Sequence, residues 1–225
     1  MTAIRPNIIT SISGKPKSGK THLAMTFEDP IKVYSFDLGA TFVRTKFPDK
    51  QIDIHEFILP IIEEDPPPPF AQPIWKEFYD EYKKDVYGGK YKTVVLDTAT
   101  AVWFILRQAI TEEKNRKKLL EVEYYLPNTK MSTLFAHARV AGVNLVTLQY
   151  LKSKYVKGDD TGELIPDGWS WTEGQADVVL EIAAKDTGNS HKMVTTLVKN
   201  RFDRNLNDQT FVDMTYDDLM VVLEI

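Results

Sequence analysis

Gly14-Lys15-Pro16-Lys17-Ser18-Gly19-Lys20-Thr21 is the stretch on which the fold turns. It fits G-x-x-x-x-G-K-[ST] without a mismatch, and every fixed position has a chemical reason. Glycines let successive backbone N–H groups curl around a phosphate chain, and a helix starting just behind them points its positive end at the anion. Lys20 is expected to reach the β- and γ-phosphates of ATP, and the Thr21 hydroxyl to ligate Mg²⁺. Gly14, Lys15, Pro16, Lys17, Ser18, Gly19, Lys20, Thr21 and the following His22 form the expected nucleotide-binding segment.

The flanks give the loop the setting it needs. Ile8-Ile9-Thr10-Ser11-Ile12 is a β-rich run before it, and residues 20–27 form a predicted helix after it, stopped by Asp29-Pro30. Further strands are expected at 31–36, 52–59, 93–97 and 143–148. Helices are expected at 75–86, at 99–123, and from Pro127 to Gly142. Beyond residue 150 come short β-like runs, including 177–183 and 192–199. Fully apolar strands alternating with helices mean a buried, mostly parallel central sheet flanked by helices. The fold class is α/β, with the tail read as a C-terminal antiparallel extension. Residues 1–225 read as a single domain. Its one compositional break is at 60–73, where six of the twelve prolines make a stiff surface excursion.

Composition narrows the function further. The chain has 225 residues, 28 Lys+Arg against 32 Asp+Glu, and no Cys. Disulfides, thiol nucleophiles and thiolate metal sites are excluded. The four His (22, 55, 137 and 191) lack close ligand spacing, so no zinc site is expected. No apolar run approaches the roughly 18 residues of a membrane span, so a cytoplasmic protein without membrane contact is expected. A net charge of −4 leaves room for only a local basic patch.

A second acidic element supports the loop. Thr93-Val94-Val95-Leu96-Asp97 is a buried strand ending in a carboxylate, placed to hold Mg²⁺ opposite Thr21. Taken in order, the phosphate loop, Phe36-Asp37, the 94–97 strand end and Leu148-Gln149 resemble the RecA-like P-loop ATPases. They are most similar to the small phage ATPases of that group, which act in recombination and single-strand annealing. The resemblance implies ATP hydrolysis, a homo-oligomer, a single-strand-binding protein as possible partner, and the cytoplasm of a phage-infected bacterium. It gives Gln149 the role of γ-phosphate sensor coupled to DNA-binding loops. It also matches Lys199-Asn200-Arg201 to a pair that reaches a neighbouring subunit's nucleotide. On a strand, Lys199 and Arg201 face one side and Asn200 the other, and the two cations are expected to stand otherwise unmatched. The alternative is a surface pair bridged to Asp203 or Asp213.

One position departs from the family. Its members often carry Asp-x-Glu-Gly-Thr at the second strand, whereas this chain reads Asp37-Leu38-Gly39-Ala40-Thr41. The catalytic base is then Asp37, favoured for its place at a strand tip, or Glu56, or hydrolysis is slow. Two other classes stay open. Gly14-Lys15 also begins like the loop of partition-type nucleotide-switch ATPases, and Lys114-Asn115-Arg116-Lys117-Lys118 could be the lid of a small-molecule kinase.

After Gln149, lysines alternate with tyrosines in Tyr150-Leu151-Lys152-Ser153-Lys154-Tyr155-Val156-Lys157, and Trp169 and Trp171 follow. Single-stranded DNA needs cations for its phosphates and aromatic faces for its bases. Lys152, Lys154, Tyr155, Lys157 and Trp169 are the expected DNA contacts, on a loop or hairpin over 150–172. The competing expectation is a hairpin with exposed lysines and core tryptophans.

Replacing Lys20 by Ala should abolish measurable ATP binding in calorimetry while far-UV circular dichroism stays unchanged. Equal affinity in variant and wild type would reject the phosphate-loop assignment.

Overall fold

The structure is a computed structural model describing residues 6–64, 68–186 and 191–225. In chain order the elements are β1 (Ile9–Gly14), α1 (Lys20–Ala24), β2 (Ile31–Ser35), α2 (Ala40–Arg44), β3 (Ile52–Glu56), α3 (Ala71–Tyr87), β4 (Thr93–Asp97) and α4 (Ala99–Glu113). Then follow α5 (Tyr125–Ala141), β5 (Asn144–Gln149), β6 (Leu151–Val156), β7 (Asp159–Pro166), α6 (Thr172–Gln175), β8 (Val178–Asp186), β9 (His191–Asn200), β10 (Gln209–Val212) and α7 (Tyr216–Val222).

Eight strands form one sheet in the order β10-β9-β8-β1-β5-β4-β2-β3. From β8 to β3 all neighbours are parallel, and β9 and β10 add on antiparallel. This is the expected architecture, extension included. Among the described residues β6 and β7 pair only with each other, as a separate antiparallel hairpin.

Every residue of β1, β4 and β5 is buried, which explains why these strands read as unbroken apolar runs. Their side chains alternate between two cores. Ile9, Val94, Leu96 and Leu145 meet the α3–α4–α5 layer with Trp75, Phe78 and Phe135. Ile12, Val95, Val146 and Leu148 meet the opposite layer, where Leu23, Phe27, Tyr216 and Leu219 pack.

Several boundaries differ from the sequence expectation, each for a local reason. The helix expected over 99–123 stops at Glu113, because Asn115 takes a left-handed conformation at φ 51°, and α5 starts afresh at Tyr125. Pro127 falls in the first turn of α5, where its missing N–H costs nothing. The first helix ends at Ala24 rather than near 27, and the strand expected over 52–59 ends at Glu56, short of Pro60. The tail ends in α7, which the expectation of a purely β extension missed. Its start is a Thr215-x-x-Asp218 capping box, in which Asp218 Oδ2 accepts the Thr215 N–H at 2.9 Å. Residues 65–67 of the proline-rich excursion lie outside the described residues.

α3 begins four residues before the expected start, and its cap comes from another helix. The Glu112 carboxylate of α4 accepts the N–H groups of Phe70, Ala71 and Gln72 at 3.0–3.1 Å. A carboxylate at a helix N-terminus both satisfies orphan donors and opposes the macrodipole. Glu112→Ala should therefore lower global stability by about 1–3 kcal/mol. Amides at the start of α3 should lose hydrogen-exchange protection first. Unchanged protection there would show that the cap is not what holds α3.

Candidate nucleotide site

Parallel pairing brings the carboxyl ends of β1, β5, β4 and β2 to one edge of the sheet. Ser13 lies opposite Gln149, Leu148 opposite Asp97, and Asp97 opposite Ser35. The phosphate loop, Gln149, Asp97 and Asp37 thus emerge side by side, where open α/β sheets bind ligands.

Within the loop the glycines are sterically required. A Cβ on Gly14 would collide with the Ile182 carbonyl and lie 2.6 Å from Ser18 Oγ. Gly19 has φ 103° and backs directly onto the Met193 side chain. Lys15, Pro16 and Lys17 are exposed, while Ser18 and Lys20 are buried. The Ser18 hydroxyl is buried without a hydrogen-bond partner among the described residues, as in a loop shaped to receive an acceptor-rich ligand. The Lys20 ammonium donates to the Gly14 and Lys15 carbonyls, both at 2.9 Å. Burial lowers its pKa, against the opposing pull of Asp97 and then Asp37. His22 packs its ring on Phe47, and burial first, then Lys46, favours its neutral form.

The Thr21 hydroxyl donates to Asp97 Oδ2 at 2.8 Å, so the two expected Mg²⁺ ligands converge. Burial, and next the Asp37 carboxylate, raise the Asp97 pKa to about 7, against the Thr21 hydrogen bond and Lys20. A divalent cation at Asp97 and Thr21 would relieve that strain, and a hydroxyl with a carboxylate is a hard-oxygen donor set suited to Mg²⁺. These residues fit the ion.

Asp37 is exposed and near enough to act on both Lys20 and Asp97. Its Oδ1 accepts the Gly39 N–H at 3.1 Å and its Oδ2 accepts the Tyr150 hydroxyl at 2.9 Å. Glu56, the other candidate base, is held by the Thr41 hydroxyl at 2.7 Å. Gln149 is buried; its Oε1 accepts from Ser11 Oγ at 3.1 Å, and its Nε2 donates to the Asp167 carbonyl at 2.9 Å. It therefore joins the phosphate-loop strand to the return of the hairpin.

Sequence reasoning missed Tyr150 as part of the site, because it was counted among the residues of the basic run. Its ring lies 4.9 Å from the Lys20 ammonium. Burial and the Asp37 charge push its phenol up, so it remains a donor. The signal was its position, immediately after Gln149 at the end of β5.

Outside this cluster the expected residues fare differently. Trp169 is corrected: only 4% exposed, it packs on Phe135 and donates its indole N–H to Asn128 at 3.0 Å, so it offers no face to a base. Trp171 is 64% exposed instead. Tyr155 is likewise 64% exposed. Lys152 pairs with Asp167 at 2.8 Å and Lys154 with Glu163 at 2.6 Å, while Lys157 lies in the hairpin turn with φ 54°. Lys199 and Arg201 are not unmatched. They pair with Glu173 at 2.8 Å and Asp177 at 3.1 Å, and neither partner is the expected Asp203 or Asp213. The buried Asp177 carboxylate also binds Arg139 at 3.1 Å and the Ile9 N–H at 2.9 Å. Lys114 and Arg116 of the conceivable kinase lid both bridge Glu123. His55 meets Glu81 through Nδ1 at 2.6 Å and Glu77 through Nε2 at 3.5 Å, so the two carboxylates face different ring nitrogens. Among the described residues no helix is long and apolar enough to cross a membrane.

Fold and site together define a RecA-like P-loop ATPase. A family model described as an AAA domain (AAA_24) matches residues 7–204, and the chain belongs to that family. The structure is similar to that of a KaiC-like protein, PH0186, from the hyperthermophilic archaeon Pyrococcus horikoshii OT3. The TM-score is 0.55 at 13% identity, covering 93% of this chain and 86% of that one. No curated protein matches.

The raised Asp97 pKa has a stability consequence. A carboxyl that holds its proton more tightly when folded favours the fold below its unfolded value of 3.8, and that advantage is lost as pH rises to about 7. Without nucleotide and Mg²⁺, Asp97→Asn should therefore stabilise the protein at pH 8, by on the order of 2 kcal/mol or a shift of several degrees in Tm. The gain should shrink toward pH 4. A variant less stable than wild type at pH 8 would show that Asp97 is not strained.

Proposed function

We propose that this chain is a Mg²⁺-dependent ATPase coupled to single-stranded DNA, serving recombination or strand annealing of the phage type. The observation that carries this is the β6–β7 hairpin, which begins immediately beyond the Gln149–Tyr150 pair. It presents Lys152, Lys154, Lys157 and the open ring of Tyr155, with Trp171 just past its return. Cations and open aromatic faces together suit a single strand better than a duplex. The Lys152 and Lys154 ion pairs would exchange their carboxylates for phosphates, as exposed pairs do at little cost.

In the proposed reaction, water attacks the γ-phosphorus in line as the bond to the β–γ bridging oxygen breaks, releasing ADP and phosphate. Lys20 turns from the loop carbonyls to the phosphates and neutralises the charge that grows there. Asp37 orients the water and takes its proton; with Gly39 at the family's Glu position, turnover is slow. Thr21 and Asp97 would hold Mg²⁺, whose chemistry is to withdraw charge from the phosphate oxygens. Gln149 reports the outcome to the hairpin.

In the proposed homo-oligomer, the pair Lys199 and Arg201 would serve a neighbour's site and not its own. Asn200 pairs with Val178 and Val178 with Thr10, whereas the phosphate loop leaves β1 at Gly14. Those four residues put the pair about 13 Å down the strand from its own loop, toward the opposite edge. Any triphosphate it met would be a neighbour's, after exchange of Glu173 and Asp177. The competing class is a nucleotide switch acting on protein partners; the carboxylates already engaging Lys152 and Lys154 favour it.

ATPase assays with and without oligonucleotide separate the two. DNA coupling requires stimulation of turnover and binding by fluorescence anisotropy. Changing Lys152, Lys154 and Lys157 together to Ala should weaken binding and reduce the slope of log affinity against log salt by about 0.7 per lost contact. A wild type indifferent to oligonucleotide in both assays would reject DNA coupling in favour of the switch.

A further inference from the structure

Tyr150 makes two contacts within the nucleotide site and two at the hairpin base. Its hydroxyl donates to Asp37 and its ring lies over the Lys20 ammonium. Its N–H donates to Thr100 Oγ1 at 3.2 Å, and its carbonyl accepts the Asp167 N–H at 2.7 Å. Thr100 Oγ1 in turn donates to the Asp167 carbonyl at 2.8 Å, which the Gln149 amide also reaches. One residue thus has its side chain among the charges that meet phosphate and its backbone in the first rung of the hairpin.

We infer that Tyr150 is the positioning residue through which an incoming triphosphate acts on the hairpin. The physics is directional. An aromatic face attracts a cation and repels an anion. Phosphates that draw Lys20 off the Gly14 and Lys15 carbonyls remove the cation under the ring and bring negative charge in its place. The same charge crowds Asp37, the acceptor of the Tyr150 hydroxyl, and offers that donor a second acceptor. The ring must re-seat. With its N–H and carbonyl both held, Tyr150 passes the movement to the Asp167 rung rather than absorbing it in its own backbone. Gln149 and Tyr150 then divide the work. The amide ties the hairpin return to the phosphate-loop strand, and the phenol ties the hairpin start to Asp37. The DNA reading supplies only the use to which this coupling is put; the coupling itself is tested without DNA.

Hydrogen exchange of the amides over 151–166 is to be measured with and without a non-hydrolysable ATP analogue plus MgCl₂. Wild type should change its exchange there on adding the analogue. Tyr150→Ala, compared with wild type at analogue concentrations that calorimetry shows to saturate each protein, should lose the hairpin response. Tyr150→Phe, which keeps the ring and its packing, should show a diminished response, and it decides the matter if the Ala variant does not fold. A full response in either variant, or none in wild type, overturns the proposal. Oligonucleotide binding by the same proteins is scored separately. A wild type that responds to nucleotide but binds no DNA leaves the coupling standing and removes only the DNA assignment.

Discussion

Asp97 and Lys20 are opposite charges drawn out of water at the same edge of a parallel sheet, and the rest of the molecule is arranged around that cost. Among the described residues neither has an ideal partner. Lys20 rests on carbonyl oxygens, and Asp97 on a hydroxyl while a second carboxylate stands nearby. Burying an incompletely paired charge costs several kcal/mol, and proteins accept that mainly where a ligand completes the pairing. The fully buried strands β1 and β4 position the groups, and β5, equally buried between them, brings Gln149 into the same row. Cores on both faces keep those strands from yielding to the strain.

Much of this was legible before any coordinates. The phosphate loop and the 93–97 strand could be read because their chemistry forces residue types at fixed spacing and leaves backbone geometry little choice. The parallel sheet followed from unbroken apolar runs. What was not legible depended on partners distant in sequence. Nothing near residue 71 announces an early helix start, since the capping carboxylate is Glu112. Trp169 reads as a possible stacking platform until Asn128 and Phe135 are seen to enclose it. Lys199 and Arg201 read as free cations because Glu173 and Asp177 approach them from an earlier segment. The capping box of α7 was a local signal and could have been read; the β-like context of the tail obscured it.

In the proposed coupling, the hairpin is the small addition that would give the ATPase core an output. Among the described residues the two strands inserted between β5 and α6 join no other sheet, so their pairing is independent of the eight-stranded core. Their base is nonetheless held by Thr100, Gln149 and Asp167, three residues that meet beside the site. Freedom at the tip with restraint at the base is the mechanical requirement for a reporter of nucleotide state.

The hold of Glu112 on α3 carries an engineering consequence. The first turn of α3, from Phe70 on, is seated by Glu112 of α4, so the helix start is held from outside the connection that precedes Phe70. Closing a longer connection costs little, roughly 0.6 kcal/mol for each doubling in length. The exposed stretch around Ile61 is thus a natural place to graft a peptide epitope or a fluorescent label, at the sheet margin farthest from β10 and outside the row formed by Gly14, Asp97 and Gln149.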